Sequence, residues 1–564
     1  MKIPRFPGAP TLKTPRLSGP TLAAIRRVAE TPGADVALRA FLKTTLGIDR
    51  LSELPERARG PLPMQWCPLS GRAPRQRPDA GLPLPKLGKW PRTVDSFVEA
   101  YQSKKLSPRD VADRVLGRID ELGAQRPCMN ILAAKDPAMT IRDAEQSAER
   151  WAQGRPLGPF DGVPFLVKDQ CDVEGLSTRD GSICEPDVPA ARDSTIVARL
   201  RKAGAVFSGK TVLTIWGMSP MGNNTDYAMP HNAHDAARFA GGSSTGSAVG
   251  VAMGLTPFAI GTDGGGSIRI PASLNGIFGI KPTFGRVPRN PNSSSSVAHT
   301  GPIAACTQDL AAFLDVVASS PDPEDSLTAW APPPPAGGFG AYLRSGVRGL
   351  RIGVDELELR QAEPEIVRAV ENAIRVLEKE GAEIVRIEIP LARYAAAIGY
   401  LTISPEEVAV KREILLNRRT ELPDDVRLMF AIVEGFTCGE YLDAQRLRSG
   451  LRRAMAELFQ DIDVIALPTT AITAPRYTEA EERMPISDPS VIDGLCRFNF
   501  LGNLTGLPAA TAPIGLDSKG LPIGLQIVGD AWDEPTILSV LAHLERIGMA
   551  SVKRPARAFD ILGE

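Results

Sequence analysis

Histidine, aromatic residues and paired cysteines are all scarce in this 564-residue chain, and each shortage closes off a class of chemistry. Aromatics make up 5% and hydrophobic residues 43%, a soluble globular composition. The four histidines (His231, His234, His299, His543) leave little material for a histidine-based relay. Seven scattered cysteines form no C-x-x-C pair, and an odd number in a long chain reads as reduced thiols in a cytoplasmic setting. No pattern calls for a metal or a cofactor. The basic N-terminus has no apolar core of a signal peptide, so secretion is not expected. The longest uncharged stretch, 239–262, is built mainly of Gly, Ser, Thr and Ala around Pro257. It is too weakly apolar for a membrane span and reads as a buried helix leading into a strand.

Net charge is scarce as well: 65 Lys and Arg face 66 Asp and Glu. The balance hides a split. Residues 1–90 carry 16 basic and 6 acidic side chains with 14 of the 50 prolines, while the remainder carries 49 basic and 60 acidic. A nucleic-acid partner would need a basic stripe on a folded domain, so none is expected. The split predicts a basic, proline-rich extension over 1–92, with short helices around Thr31-Pro32-Gly33 and an extended run over 61–85. A single catalytic domain is expected over 93–564.

Within that domain Ser107 caps a helix that begins with Pro108 and carries Val111, Val115, Ile119 and Leu122 at helical spacing. A helix over 193–203 precedes a short strand over 205–207. A strand over 350–354, a helix over 364–379 and a strand over 384–389 make a βαβ unit. A helix over 441–459 leads to a strand over 464–467, and a strand over 523–528 leads to a helix over 536–547. Such alternation predicts an α/β fold with a large parallel or mixed sheet and helices on both faces. The proline run in 331–338 reads as a surface loop.

Two Gly/Ser clusters stand out, Gly241-Gly242-Ser243-Ser244-Thr245-Gly246-Ser247 and Gly261-Thr262-Asp263-Gly264-Gly265-Gly266-Ser267-Ile268-Arg269-Ile270-Pro271. Neither holds the lysine of a phosphate-binding loop, and neither completes G-x-G-x-x-G. Gly242-Ser243-Ser244-Thr245-Gly246 satisfies G-x-S-x-G, yet the polar stretch before it is no buried strand, and the late His543 lies in a helical pattern. A lysine base is the next candidate. No lysine has a serine three residues before it, which excludes the Ser-x-x-Lys signature. Lys168 instead ends the apolar run Gly162-Val163-Pro164-Phe165-Leu166-Val167, where burial would depress its pKa and supply a neutral amine. The plainer expectation for Lys168 taken alone is an ion pair with a neighbouring carboxylate such as Asp169.

In their order and spacing, Gly162-Val163-Pro164 with Lys168-Asp169, Gly241-Gly242-Ser243-Ser244, and Gly261-Thr262-Asp263 through Pro271 resemble the amidase signature family. So do Gly502-Asn503-Leu504-Thr505-Gly506-Leu507-Pro508 and Gly520-Leu521-Pro522-Ile523-Gly524-Leu525-Gln526. The resemblance spans roughly 94–548. It implies the amidase-signature fold and a Ser-cisSer-Lys triad: Ser267 as nucleophile, Ser243 as bridging serine after a cis Gly242–Ser243 peptide, and Lys168 as base. It further implies an oxyanion hole from the backbone amides of Gly264, Gly265, Gly266 and Ser267. Asp263 and Arg269 would tie the loop together, and Ser244 would hydrogen-bond within the site. Two departures are visible. Thr245 replaces a common glycine, and Val212-Leu213-Thr214-Ile215 stands where the family often has Asn-Met-x-Glu.

Shorter stretches resemble the plant-type fatty acid amide hydrolase branch: Lys13 to Gly19, Met218, Gly222-Asn223-Asn224 and Arg557 to Leu562. This branch implies an apolar acyl pocket touched by Met218, N-acylethanolamines or related long-chain amides as substrates, and a homodimer. It also implies an N-terminal helical region at the acyl channel or a dimer contact. The basic arm, with Ile3, Phe6, Leu12, Leu17, Leu22 and Ile25, could touch an anionic membrane surface peripherally, but packing on the acidic body or on a second subunit is favoured, because proline-rich segments make poor membrane helices. Three alternatives stand beside this reading: a glutamine-hydrolysing subunit of an aminoacyl-tRNA amidotransferase, an amidase for small aryl or peptide amides, and a non-catalytic binder with the same fold.

Overall fold

The structure, a computed structural model, describes residues 14–62, 67–72, 80–86, 88, 90–125, 129–228, 230–290 and 295–563. Ile3, Phe6, Leu12, Lys13 and much of the proline-rich stretch 61–85 lie outside the described residues.

Thirteen strands are found among the described residues. They are β1 (Leu17–Ser18), β2 (Leu132–Ala134), β3 (Pro164–Lys168), β4 (Val206–Thr211), β5 (Phe258–Asp263), β6 (Phe278–Lys281) and β7 (His299–Ala304), then β8 (Arg351–Val354), β9 (Glu383–Arg386), β10 (Val464–Pro468), β11 (Ile486–Ser487), β12 (Ala509–Leu516) and β13 (Pro522–Gly529). Eleven of them form one sheet in the order β2-β4-β3-β5-β7-β6-β12-β13-β10-β8-β9. Pairs β3/β4, β3/β5, β8/β10 and β8/β9 are parallel and the others antiparallel, the mixed sheet that the alternating pattern predicts. Both faces are covered. Along β10, Val464 and Ala466 enter one apolar core while Ile465 and Leu467 enter a second, because successive strand residues point to opposite faces. Apolar runs such as Pro164–Lys168 are therefore continuous rather than alternating.

The helices that matter below are α1 (Gly19–Glu30), α2 (Asp35–Thr45), α3 (Pro108–Ala124), α4 (Thr195–Lys202), α5 (Thr245–Ala252), α6 (Pro364–Lys379), α7 (Ala395–Val410), α8 (Asp424–Val433), α9 (Cys438–Leu458) and α10 (Phe500–Thr505). Ser107 caps α3 with a reciprocal bond to Asp110, Pro108 opens the helix, and Val111, Val115, Ile119 and Leu122 are buried. The unit β8-α6-β9 is a parallel crossover, its helix buried along Ile366, Val370, Ala373, Ile374 and Leu377. Several boundaries differ from the sequence reading. The 205–207 strand runs on to Thr211, α4 starts at Thr195 after Ser194, and β9 stops at Arg386. Helix α9 begins three residues early, because Thr437 and Glu440 form a capping box.

The described part of the basic arm packs on the acidic body. Leu22 and Ala29 of α1 share a buried cluster with Leu428 and Ala431 of α8. Arg16 pairs with Asp488 and Glu481, Arg26 with Asp424, Lys43 with Glu440, and Arg59 with Asp443. Strand β1 adds a two-stranded ladder with β11. Among the described residues no helix is long and apolar enough to cross a membrane.

Candidate active site

Parallel pairing of β3 with β5 sets Phe165, Leu166 and Val167 beside Phe258, Ala259 and Ile260, so Lys168 comes level with the end of β5. Its ammonium nitrogen lies 2.7 Å from Ser243 Oγ and 2.7 Å from Thr262 Oγ1. Ser243 directly precedes Ser244, the N-cap of α5, and the Gly242–Ser243 peptide is cis. Asp169 does not take Lys168 as a partner. It pairs with Lys210 of β4 at 2.6 Å, both side chains fully buried, which overturns the plainer expectation. Lys168 has no solvent exposure, and that loss of hydration lowers its pKa to about 7 against the opposing carboxylates of Asp180 and Asp263.

An amine with a depressed pKa folds at the expense of a bound proton, so the sign of the linkage is definite. Lysine in the unfolded chain holds its proton up to about pH 10.4, whereas Lys168 in the folded chain gives it up from about 7. Between these values the unfolded state binds more protons, and stability falls as pH drops. Lys168→Met removes this dependence. The variant's stability relative to wild type is expected to improve by about 1.4 kcal/mol per pH unit as pH falls from about 10 towards 7. Thermal unfolding across that range checks this, and a constant difference would contradict it.

Beyond β5, residues 264–267 turn tightly into the helix Arg269–Leu274. Asp263, fully buried, accepts from Arg269 Nε at 3.0 Å and Nη2 at 2.9 Å, and Arg269 also donates to Asn503 and Gln526. Burial alone would raise the Asp263 pKa, but the Arg269 charge holds the carboxyl well below the usual carboxylate range. The same carboxylate takes the Gly266 N–H at 2.7 Å and the Ile268 N–H at 3.2 Å. The Gly266 N–H is thus bonded to Asp263 rather than free. The N–H groups of Gly264, Gly265 and Ser267 have no partner among the described residues. Gly266 has φ +122°, and a Cβ there would collide with Ile270 and Asn499, so the turn requires glycine.

Ser244 points away from the cavity's chemistry. Its Oγ bonds the Thr262 carbonyl at 3.1 Å and its N–H the Ser267 carbonyl at 3.1 Å, which leaves no exposed nucleophile elbow. No histidine replaces Lys168. His543 lies on the helix Glu534–Arg546 beside Glu380, and His299 is buried with Nδ1 against the Val297 carbonyl, burial holding its pKa well below the ordinary value.

Ser243, Ser267, Thr262, Gly264, Gly265 and Met218 all face a cavity of about 1190 Å³. Leu17, Ile25, Leu38 and Leu42 of the arm line one wall, and Tyr400, Ile403, Met429 and Ile432 of α7 and α8 line another. The sequence reading did not single out Thr262, Gln170, Asp180, Tyr400 or Lys411, which line it too. For Thr262 the pairing of β5 with β3 was the available signal, while Lys411 lies 91 residues before the nearest motif, the one beginning at Gly502.

Comparison with known proteins shows the family of the chain. The model of the amidase family matches residues 111–538. The fatty acid amide hydrolase of Medicago truncatula is 34% identical over 482 residues, covering 83% of this chain and 78% of its own. The A-type subunit of the glutamyl-tRNA(Gln) amidotransferase from Chloroflexus aggregans is 32% identical over 82% of this chain and 98% of its own. The crystal structure of a bacterial aryl acylamidase of the amidase signature enzymes superposes with a TM-score of 0.73 at 26% identity, covering 84% of this chain and 99% of that one. The chain belongs to the amidase signature family of amide hydrolases.

Proposed function

We propose that this amidase cleaves long-chain acyl amides, N-acylethanolamines among them, through an acyl-enzyme on Ser267. The observation that carries the reading is the 2.7 Å contact of a buried Lys168 amine with Ser243 Oγ, in a cavity that Ser267 also lines. Neutral Lys168 takes the Ser243 hydroxyl proton while Ser243 takes that of Ser267, whose Oγ forms a bond to the amide carbonyl carbon. The resulting oxyanion meets the N–H groups of Gly264, Gly265 and Ser267, each such donor supplying a few kcal/mol of barrier lowering. Collapse breaks the C–N bond, the relay returns the proton to the leaving nitrogen, and water then hydrolyses the ester by the same route.

Substrate class follows from the walls. Leu17, Ile25, Leu38, Leu42, Met429 and Ile432 give the cavity an apolar length that glutamine would leave unfilled, and relatives named fatty acid amide hydrolases match most of the chain. The arm closes one wall from within the same chain, which favours a role in substrate access over a peripheral membrane contact. A series of acyl anilides from two to twenty carbons tests this. Each methylene that reaches apolar wall contributes about 0.8 kcal/mol, so kcat/KM is expected to climb up to about fourfold per carbon until the cavity is filled. Preferential turnover of glutamine, or no gain beyond short acyl groups, would overturn the substrate reading.

A further inference from the structure

Two non-glycine residues near the site hold left-handed backbone, Asp180 at φ +46° and Trp216 at φ +52°. For a bulky tryptophan this conformation is strained, and such strain persists where the surroundings impose it. Both serve one polar cluster. The Trp216 N–H donates to the Asp180 carbonyl at 2.9 Å, and Trp216 Nε1 donates to Glu185 Oε1 at 2.7 Å. Lys411, on the single residue between α7 and the next helix, reaches Asp180 Oδ2 at 3.0 Å and Glu185 Oε1 at 2.6 Å, with its ammonium over the Trp216 ring.

From this cluster an unbroken chain of side-chain bonds runs to Lys168. Gln170 Nε2 donates to Asp180 Oδ1 at 2.6 Å, Thr262 Oγ1 donates to Gln170 Oε1 at 2.5 Å, and Lys168 Nζ donates to Thr262 Oγ1 at 2.7 Å. A glutamine fits the link because its amide donates at one end and accepts at the other, so the carboxylate fixes its orientation and, through it, that of the Thr262 hydroxyl. With that hydroxyl proton turned to Gln170, the oxygen lone pairs face Lys168 and favour its protonated form. Gly217 is confined here too, since a Cβ would stand 3.2 Å from both Gln170 Nε2 and Ser243 Oγ.

We propose that Asp180 is a positioning residue for the amide-cleaving reaction, setting the proton affinity of Lys168 through Gln170 and Thr262 while Lys411 fixes its carboxylate. The inference rests on the reading of Lys168 as the base. The acidic groups facing Lys168 are Asp180, Asp263 and the Cys171 thiol; burial pushes the thiol up to about 12, so it is uncharged near neutrality, Asp263 is paired with Arg269, and the adjacent Asp169 is occupied by Lys210. Those facing Asp180 from α7 and its own loop are Lys411, Glu185 and Glu407, with Glu406 beyond. Burial pushes Glu407 up to about 8, so near neutrality it adds little negative charge. The Asp180 carboxylate therefore supplies the negative charge that reaches Lys168 along the bonded chain.

The test is the pH dependence of kcat/KM for a long-chain acyl anilide, measured on the full chain. Asp180→Asn removes a negative charge and makes Lys168 a weaker base. The acid limb is expected to move about one unit to lower pH, with the plateau reduced several-fold. Lys411→Met removes a positive charge behind Asp180 and is expected to move the limb to higher pH, so the two shifts have opposite signs. Gln170→Met breaks the chain at unchanged charge and lowers the plateau, and Asp180→Glu restores the limb to near its original place. A limb that stays put in both Asp180→Asn and Lys411→Met, whatever happens to Tm, would make the cluster purely structural. If Asp180→Asn does not fold, Lys411→Met alone decides by the sign of its shift. A wild type with no acid limb, or a Lys168→Ala enzyme that keeps its rate, would overturn the base reading itself and this inference with it.

Discussion

Replacing Lys168 by alanine is expected to lower acylation by about 10³- to 10⁴-fold, the upper part of the range for a positioned general base. The effect is large because no neighbour can stand in. Asp169 and Lys210 neutralise one another, and Thr262 offers a hydroxyl without a basic group. Wild-type kcat/KM should rise from acid pH and level off above about 7, the value to which burial lowers the Lys168 amine. The direction is fixed by the role: only the deprotonated amine accepts the Ser243 proton, so activity is lost as pH falls. In Lys168→Ala the residual rate should lose that limb. A wild-type rate independent of pH between about 6 and 9 would contradict a lysine base.

Ser267→Ala carries the other large effect. Loss of the nucleophile removes the covalent route altogether, and turnover is expected to fall by about 10⁴- to 10⁶-fold, as for nucleophiles that act as part of a unit. The fold should survive, because the Ser267 carbonyl, rather than its hydroxyl, makes the contact with the Ser244 N–H. The loop around it is held by Asp263 and Arg269 independently of the hydroxyl. Thermal unfolding close to wild type together with lost turnover is the expected pair of results. A fall in Tm large enough to account for lost turnover would point to a structural serine instead.

The glycine and serine clusters made the centre of the site legible from sequence, because tight turns and close backbone approach leave a local mark. Lys168 was legible for a different reason, as a charge at the end of an apolar run that a buried strand would carry inward. Its partner was not. Whether Lys168 meets Asp169 or Ser243 depends on Lys210, which the short strand assigned over 205–207 left outside the sheet and the longer β4 brings in. Helix α7 lacks a one-sided apolar stripe and contains Pro405, so the 395–410 segment offers no helical periodicity to read. Lys411 and the wall formed by α7 and α8 went unread with it. The basic arm was recognised by its charge and proline content, and its ion pairs with Asp424, Glu440, Asp443 and Asp488 are contacts between residues nearly 400 or more positions apart. No local pattern encodes such pairings.

The decisive measurement is peptide mapping after treatment with a long-chain fluorophosphonate, whose phosphorus gains a bond to the attacking serine oxygen as fluoride leaves. The adduct should sit on Ser267, form more slowly as pH falls below about 7, and be absent from Ser267→Ala. Labelling of Ser243 or Ser244 in the folded protein, or persistent labelling of Ser267→Ala, would contradict Ser267 as the nucleophile.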